Sequence, residues 1–249
     1  MDFTGKHVMI TGGSTGIGKA TAIKIASLAG KVTVIARRAG VLQQAVREIG
    51  GSASYVAADV GVQAEIIAAV DKAIQRNGPI DGLFLNAAAE GMFALTPEYT
   101  DEAFEQAMRV NVHSLFWTIR HVLPGMMARG KGAILITGSL ASERGMVGNI
   151  GYLASKHAAL GIARTIAMEA AQSGVRCNCI NPGFIDTPLM NACPEEDKAM
   201  MVARTPQRRI GRPEEVAAAA AFLLSDDASH ITAQSLAVDG GLLGTLPIR

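Results

Sequence analysis

Tyr152 and Lys156 stand four residues apart in the run GYLASK, residues 151–156 of a chain with only three tyrosines. On a helix that spacing puts both side chains on one face. A free tyrosine has a pKa of about 10, so roughly one phenol in a thousand is ionised at neutral pH. An ammonium held beside it favours the phenolate and lowers that pKa. Tyr152 is therefore expected to act as an acid–base group near neutrality. Tyr-x-x-x-Lys alone also describes an ordinary helix surface, so its surroundings decide. Ser139 closes the apolar run AILITGS, where a strand ends, and its hydroxyl can hydrogen-bond a carbonyl oxygen. Asn111, in RVNVHS, falls inside a helical stretch, where a buried amide needs partners. By itself it reads as structural more readily than catalytic.

A second chemistry lies near the N-terminus, in MITGGSTGIGKA, which follows one apolar strand pattern and opens a helix. Gly12, Gly16 and Gly18 allow a tight turn and a close backbone approach to a ligand. The helix N-terminus then offers unpaired N–H groups to a phosphate, with the Ser14 and Thr15 hydroxyls beside them. An acid about 20 residues further on would take the ribose 2′-hydroxyl of NAD. The second strand ends instead on Ala36, Arg37 and Arg38. Two guanidinium groups suit a 2′-phosphate, and at a helix start the dipole disfavours cations unless an anion is near. NADP(H) is expected over NAD(H).

These residues need a scaffold. Strand patterns at 7–10, 31–36, 53–58, 82–86, 133–137, 175–180 and 235–239 alternate with helical patterns near 17–29, 39–49, 63–76, 100–127, 152–172 and 213–224. The alternation predicts an α/β fold with a doubly wound, Rossmann-like parallel sheet of about seven strands and helices on both faces. With no linker or repeat, residues 1–249 read as a single domain. Residues 184–212, rich in proline and methionine, read as a substrate lid inserted into it. A net charge of +1 gives no field for nucleic acid or an anionic membrane. The longest apolar run, Val216–Leu224, is too short to span a bilayer. Cys177 and Cys179 alternate along a strand and read as core, and no cysteine or histidine spacing suggests a metal. The start MDFTGKHVMI does not read as a signal peptide, and the cysteine usage suits a reducing cytoplasm.

The ordered set TGGSTGIG (11–18), Asp59 in AADV, NAAA (86–89), Asn111, Ser139, YLASK (152–156), NPGFIDT (181–187) and VDGG (238–241) resembles the short-chain dehydrogenase/reductase family over essentially the whole chain. The resemblance implies a tetrad. Tyr152 would donate or accept the proton, Ser139 would orient the substrate oxygen, Lys156 would lower the tyrosine pKa and hold the nicotinamide ribose, and Asn111 would support a water relay. It also implies cofactor contacts from Ile17 in the glycine turn, Asp59 and Val60 at the adenine, Asn86 and Ala87 along the cofactor, and Pro182, Gly183, Ile185 and Thr187 beside the nicotinamide. The family usually has Asn-Asn-Ala-Gly where this chain has Asn86-Ala87-Ala88-Ala89, so Ala89 stands where a glycine's positive φ is expected.

By the same resemblance the pocket is lined by Ser139, Leu140, Ala141, Met146, Asn149, Phe184 and Met190, together with Glu90, Phe93 and Leu189. Most are apolar, which points to a neutral ketone or secondary alcohol; Arg144 is the one obvious cation for an anionic substrate. An alternative is a 3-oxoacyl-(acyl-carrier-protein) reductase, with Arg129 and Lys131 docking an acidic carrier. An alternative of another class is a protein that binds NADP(H) as a sensor without turnover. The family also implies a homotetramer, or a homodimer, built on the helices near 100–127 and 152–172, with the tail LLGTLPI (242–248) at a second interface.

Overall fold

The computed structural model describes residues 1–245. Seven strands form one sheet, β1 (His7–Thr11), β2 (Lys31–Ala36), β3 (Ala53–Ala57), β4 (Gly82–Leu85), β5 (Gly132–Thr137), β6 (Val175–Pro182) and β7 (Ser235–Val238). All pairings are parallel, in the order β3-β2-β1-β4-β5-β6-β7. Parallel neighbours need crossovers, and these are the helices α1 (Gly16–Ser27), α2 (Ala39–Ile49), α3 (Gln63–Asn77), α4 (Asp101–Met108), α5 (Ser114–Ala128), α6 (Ile150–Ala170) and α8 (Pro213–Leu224). One more helix, α7 (Glu195–Arg204), lies within the segment before α8.

Alternation along the strands divides the core in two. Met9, Leu83, Leu85, Ile134, Ile136, Cys177 and Cys179 face α3, α5 and α6, while Val8, Ile10, Val34, Phe84, Leu135 and Ile180 face α1, α2 and α8. With both faces covered, β1 and β4 are buried along their whole length, which explains the apolar runs Val8–Ile10 and Leu83–Leu85. Burial raises the pKa of both core cysteines, that of Cys179 to about 11, so they are packing groups.

Two departures from the sequence reading bear on the site. The helix expected over 100–127 is interrupted by a π-helical turn, Arg109–His113. One extra residue per turn is inserted there, and it swings Asn111 inward. The expected lid folds as a 3-10 turn, Pro188–Ala192, followed by α7, which buries none of its side chains. The segment leaves and returns at one bridge, where Asp186 N–H donates to Gly211 O and Gly211 N–H to Phe184 O, both at 2.8 Å. No helix among the described residues is long and apolar enough to cross a membrane. Part of the tail assigned to a second interface, residues 246–248, lies outside the described residues, as does the side chain of Leu189.

Candidate active site

The sheet order reverses at β1, which has β2 on one side and β4 on the other. A crevice opens at such a point, at the carboxyl ends of the strands. Three polar side chains join those ends. Thr11 Oγ1 accepts the N–H groups of Asn86 (3.0 Å) and Ala87 (3.2 Å). Asn86 Nδ2 donates to Thr11 O and Gly12 O at 3.3 Å each, and its Oδ1 accepts from Thr137 Oγ1 at 3.2 Å. Asn86 thus ties β1, β4 and β5 together, and its amide is engaged by protein.

The glycine turn sits on this seam. Gly12 has φ +66°, and a Cβ there would lie 2.9 Å from Ala87 Cα; a Cβ on Gly18 would lie 2.3 Å from Gly12 O. Both positions exclude any larger residue. Thr15 precedes α1 without a side-chain cap, and no acid lies in the first turn, so the helix presents open N–H groups to the crevice. Across the turn, Thr187 Cγ2 would be 3.1 Å from a Cβ on Gly16. Ile185 buries its side chain in the core, so only its main chain can face a ligand. Among the described residues its N–H and C=O take no hydrogen bond, because the bridge to Gly211 uses those of its neighbours. Gly183 is pressed on Asp239 Cα, 2.7 Å from where a Cβ would stand. Arg37 and Arg38 are exposed at the start of α2, whose first turn holds no acid. Val60 is buried, and Asp59 Oδ1 accepts Gly61 N–H at 2.8 Å, which leaves Oδ2 open. A backbone cradle, an uncapped helix and free cations fit a dinucleotide phosphate.

The expected tetrad converges at the end of β5. Ser139 follows that strand and caps a 3-10 turn (Leu140–Ser142), its Oγ accepting Ala141 N–H at 3.2 Å. Tyr152 lies in the first turn of α6, with the Ser139 side chain close enough to influence its phenol. Lys156, one turn on, is 3% exposed; its Nζ donates to Thr137 O at 2.8 Å and stands 5.6 Å from the centroid of the Tyr152 ring. Burial lowers the Lys156 pKa to about 8.

Two expectations are corrected here. The Tyr152 pKa is raised, not lowered: burial dominates, the neighbouring Ser139 hydroxyl opposes it, and the Glu90 carboxylate adds to it. The Lys156 amine points at a carbonyl on β5 instead of the phenol. Asn111, 2% exposed, donates through Nδ2 to Ala89 O (2.8 Å) and Ser155 Oγ (2.9 Å), and its Oδ1 accepts Ala89 N–H (2.7 Å). Both amide hydrogens are thus engaged within the protein. Ala89 is held without a positive φ, so alanine fits where the family's glycine was expected.

The expected pocket residues separate. Asn149 is 1% exposed: it caps α6 by accepting Tyr152 N–H at 3.2 Å and pins Glu90 O through Nδ2 at 2.7 Å. It is a scaffold residue, not a substrate contact. Ala141 is buried as well. Leu140 and Met190 are partly exposed near the crevice. Met146 lines a cavity of about 440 Å³ on the flank of α6, with Leu95, Val147 and Leu153. Phe184 lines another of about 330 Å³ at the foot of the lid segment, with Thr205, Val238 and Asp239. Arg144 donates to Leu243 O at 3.0 Å. Arg129 and Lys131 precede β5 at the opposite edge of the sheet, about 20 Å away along six residues of strand, and neither adjoins the crevice. Arg129 Nη2 donates to Ile80 O, and Lys131 pairs with Asp81. Thr11, Thr137, Tyr99 and Ser155 were not anticipated. Their work is long-range hydrogen bonding, which leaves no local pattern.

Comparison with known proteins agrees with this geometry. A family model described as enoyl-(acyl carrier protein) reductase matches residues 12–243. Cyclohexanol dehydrogenase of Acinetobacter sp. (strain SE19) is 37% identical, over 96% of this chain and 95% of that protein. A 3-oxoacyl-(acyl-carrier-protein) reductase of Vibrio cholerae serotype O1 is 35% identical, over 97% and 99%. The crystal structure of levodione reductase superposes with a TM-score of 0.93 at 34% identity, over 98% of this chain and all of that one. The chain belongs to the short-chain dehydrogenase/reductase family of nicotinamide-dependent oxidoreductases.

Proposed function

We propose that this protein is an NADP(H)-dependent oxidoreductase that interconverts a neutral ketone and a secondary alcohol, with Tyr152 as the acid–base group. The observation that carries it is the meeting of the Ser139 hydroxyl, the Tyr152 phenol and the Lys156 amine at the edge of β5. The nicotinamide cofactor supplies or takes the hydride when bound. Gly12, Ser14, Thr15, Gly16 and Gly18 would hold its phosphates, Asp59 and Val60 would meet its adenine, Ala87 would lie along it, and Pro182 through Thr187 would stand beside its nicotinamide. Arg37 and Arg38 take the 2′-phosphate, which supports NADP(H) over NAD(H).

In reduction, Ser139 orients the carbonyl oxygen and Tyr152 delivers a proton to it. A phenol whose pKa is raised by burial holds its proton at neutral pH, which suits donation. Lys156 stabilises the phenolate that remains and is mostly protonated below pH 8. The relatives named for cyclohexanol and levodione support a ring ketone or alcohol as substrate. The protein works as a homotetramer in the cytoplasm, with segment 184–212 as a lid on a single catalytic domain. A carrier-bound 3-oxoacyl substrate is the weaker reading, since the cations assigned to dock the carrier lie at the wrong edge of the sheet.

The test is cofactor oxidation with cyclohexanone, a cyclohexanedione and a 3-oxoacyl thioester, each with NADPH and NADH. The ring ketones should turn over fastest, and NADPH should be preferred at least tenfold. Equal rates with both cofactors would remove the role given to Arg37 and Arg38. Activity confined to the thioester would reverse the substrate assignment.

A further inference from the structure

The phenol of Tyr99 is wedged between two glycines. Tyr99 follows a 3-10 turn, Thr96–Glu98, and stands just before α4. Its Oη accepts Met92 N–H at 3.1 Å and donates to Asn149 Oδ1 at 3.3 Å. A Cβ on Gly91 would stand 2.7 Å from that oxygen, and a Cβ on Gly151 2.6 Å from it. Gly91 has φ +76°, so its turn calls for glycine in any case. Gly151 has no positive φ, and it lies in the first turn of α6, where glycine weakens a helix relative to alanine. What the missing Cβ supplies there is room for the Tyr99 phenol. The next residue is Tyr152.

Asn149 carries this contact to Tyr152. It is the N-cap of α6, and its Oδ1 accepts both the Tyr99 hydroxyl and Tyr152 N–H, the latter at 3.2 Å. Its Nδ2 donates to Glu90 O at 2.7 Å, so the amide cannot turn without breaking a bond. Beside it Ala94 N–H donates to Gly148 O at 2.8 Å. The loop after β4 is thereby clamped to the start of α6, with the Tyr99 hydroxyl bridging the two. Without that hydroxyl, Met92 N–H has no acceptor among the described residues, and Asn149 Oδ1 keeps one donor of two. We propose that Tyr99 is a positioning residue for the reaction: acting through Asn149, its hydroxyl fixes the turn of α6 from which Tyr152 reaches the substrate oxygen. Rate depends steeply on such placement. This rests on the reading of Tyr152 as the acid–base group.

The test is single-turnover NADPH oxidation with the fastest carbonyl substrate, by the wild type, Tyr99→Phe, Tyr152→Phe and the double variant, with NADPH affinity measured on each. Tyr99→Phe keeps the ring in its slot and removes only the hydroxyl. Its rate should fall roughly tenfold, the scale of one neutral hydrogen bond, with NADPH affinity unchanged. In the Tyr152→Phe background the same substitution should cost nothing further, because the group it positions is gone. A merely structural role would lower the rate alike in both backgrounds. Gly151→Ala, which displaces the hydroxyl without removing it, should repeat the pattern. A wild-type rate in either Tyr99→Phe or Gly151→Ala overturns the proposal, as does an equal loss in both backgrounds or a loss of NADPH affinity. A wild type that reduces no carbonyl, or a Tyr152→Phe rate near that of the wild type, overturns the acid–base reading and this inference with it.

Discussion

At the scale of single residues, Tyr152 and Lys156 were legible because a helix turns i and i+4 to one side. Their electrostatics were not, because they depend on burial. The sequence suggests an ammonium aimed at a phenol; the fold directs that ammonium to Thr137 O, buries it, and leaves the phenol half-buried. The Lys156 pKa of about 8 has two consequences of opposite sign. Above pH 8 the amine loses its charge, so kcat/KM for reduction should fall about tenfold per pH unit. The unfolded chain keeps that proton up to about pH 10.4, so it binds more protons than the folded chain in this window. Stability should therefore rise between pH 8 and 10 through this residue. Urea titrations at pH 8 and 10 on the wild type and Lys156→Met isolate the effect: the wild type should gain relative to the variant. A parallel change in both proteins would remove the assignment to Lys156.

At the scale of elements, the strands and helices followed from hydrophobic pattern and glycine placement, and most boundaries lie within two residues of expectation. The π-turn at Arg109–His113 was invisible because RVNVH has no helix breaker; the turn exists to bring Asn111 against Ala89 and Ser155. Asn149 was misread for a related reason. It looks like a pocket residue until its capping bond and its bond to Glu90 O are seen. Asn111→Ala would leave the main-chain groups of Ala89 without partners and remove a bond to Ser155. A loss of about 2–3 kcal/mol is expected, read as a lower urea midpoint with unchanged slope. A loss below about 0.5 kcal/mol would mean that Asn111 does not hold the loop.

At the scale of the whole molecule, the sheet brings the glycine turn, residues 11–18, and the tetrad, residues 111–156, to one edge. Sequence distance conceals that proximity, and only the parallel order supplies it. Several large apolar side chains on the helices assigned to assembly remain open: Phe116 is 53% exposed on α5, and Ile150 and Met168 are 41% and 63% exposed on α6. Their exposure supports the proposed homotetramer, in which partner chains would cover them. Sedimentation equilibrium should give four chain masses, and Phe116→Glu with Met168→Glu should shift the mass downward. A monomeric wild type would contradict this. The most direct test of the central claim is single-turnover hydride transfer from NADPH to cyclohexanone by Tyr152→Phe, alongside NADPH binding by the same protein. The account predicts NADPH affinity within a few-fold of wild type and a rate reduced at least a thousandfold. Hydride transfer at near the wild-type rate would show that Tyr152 is not the proton donor.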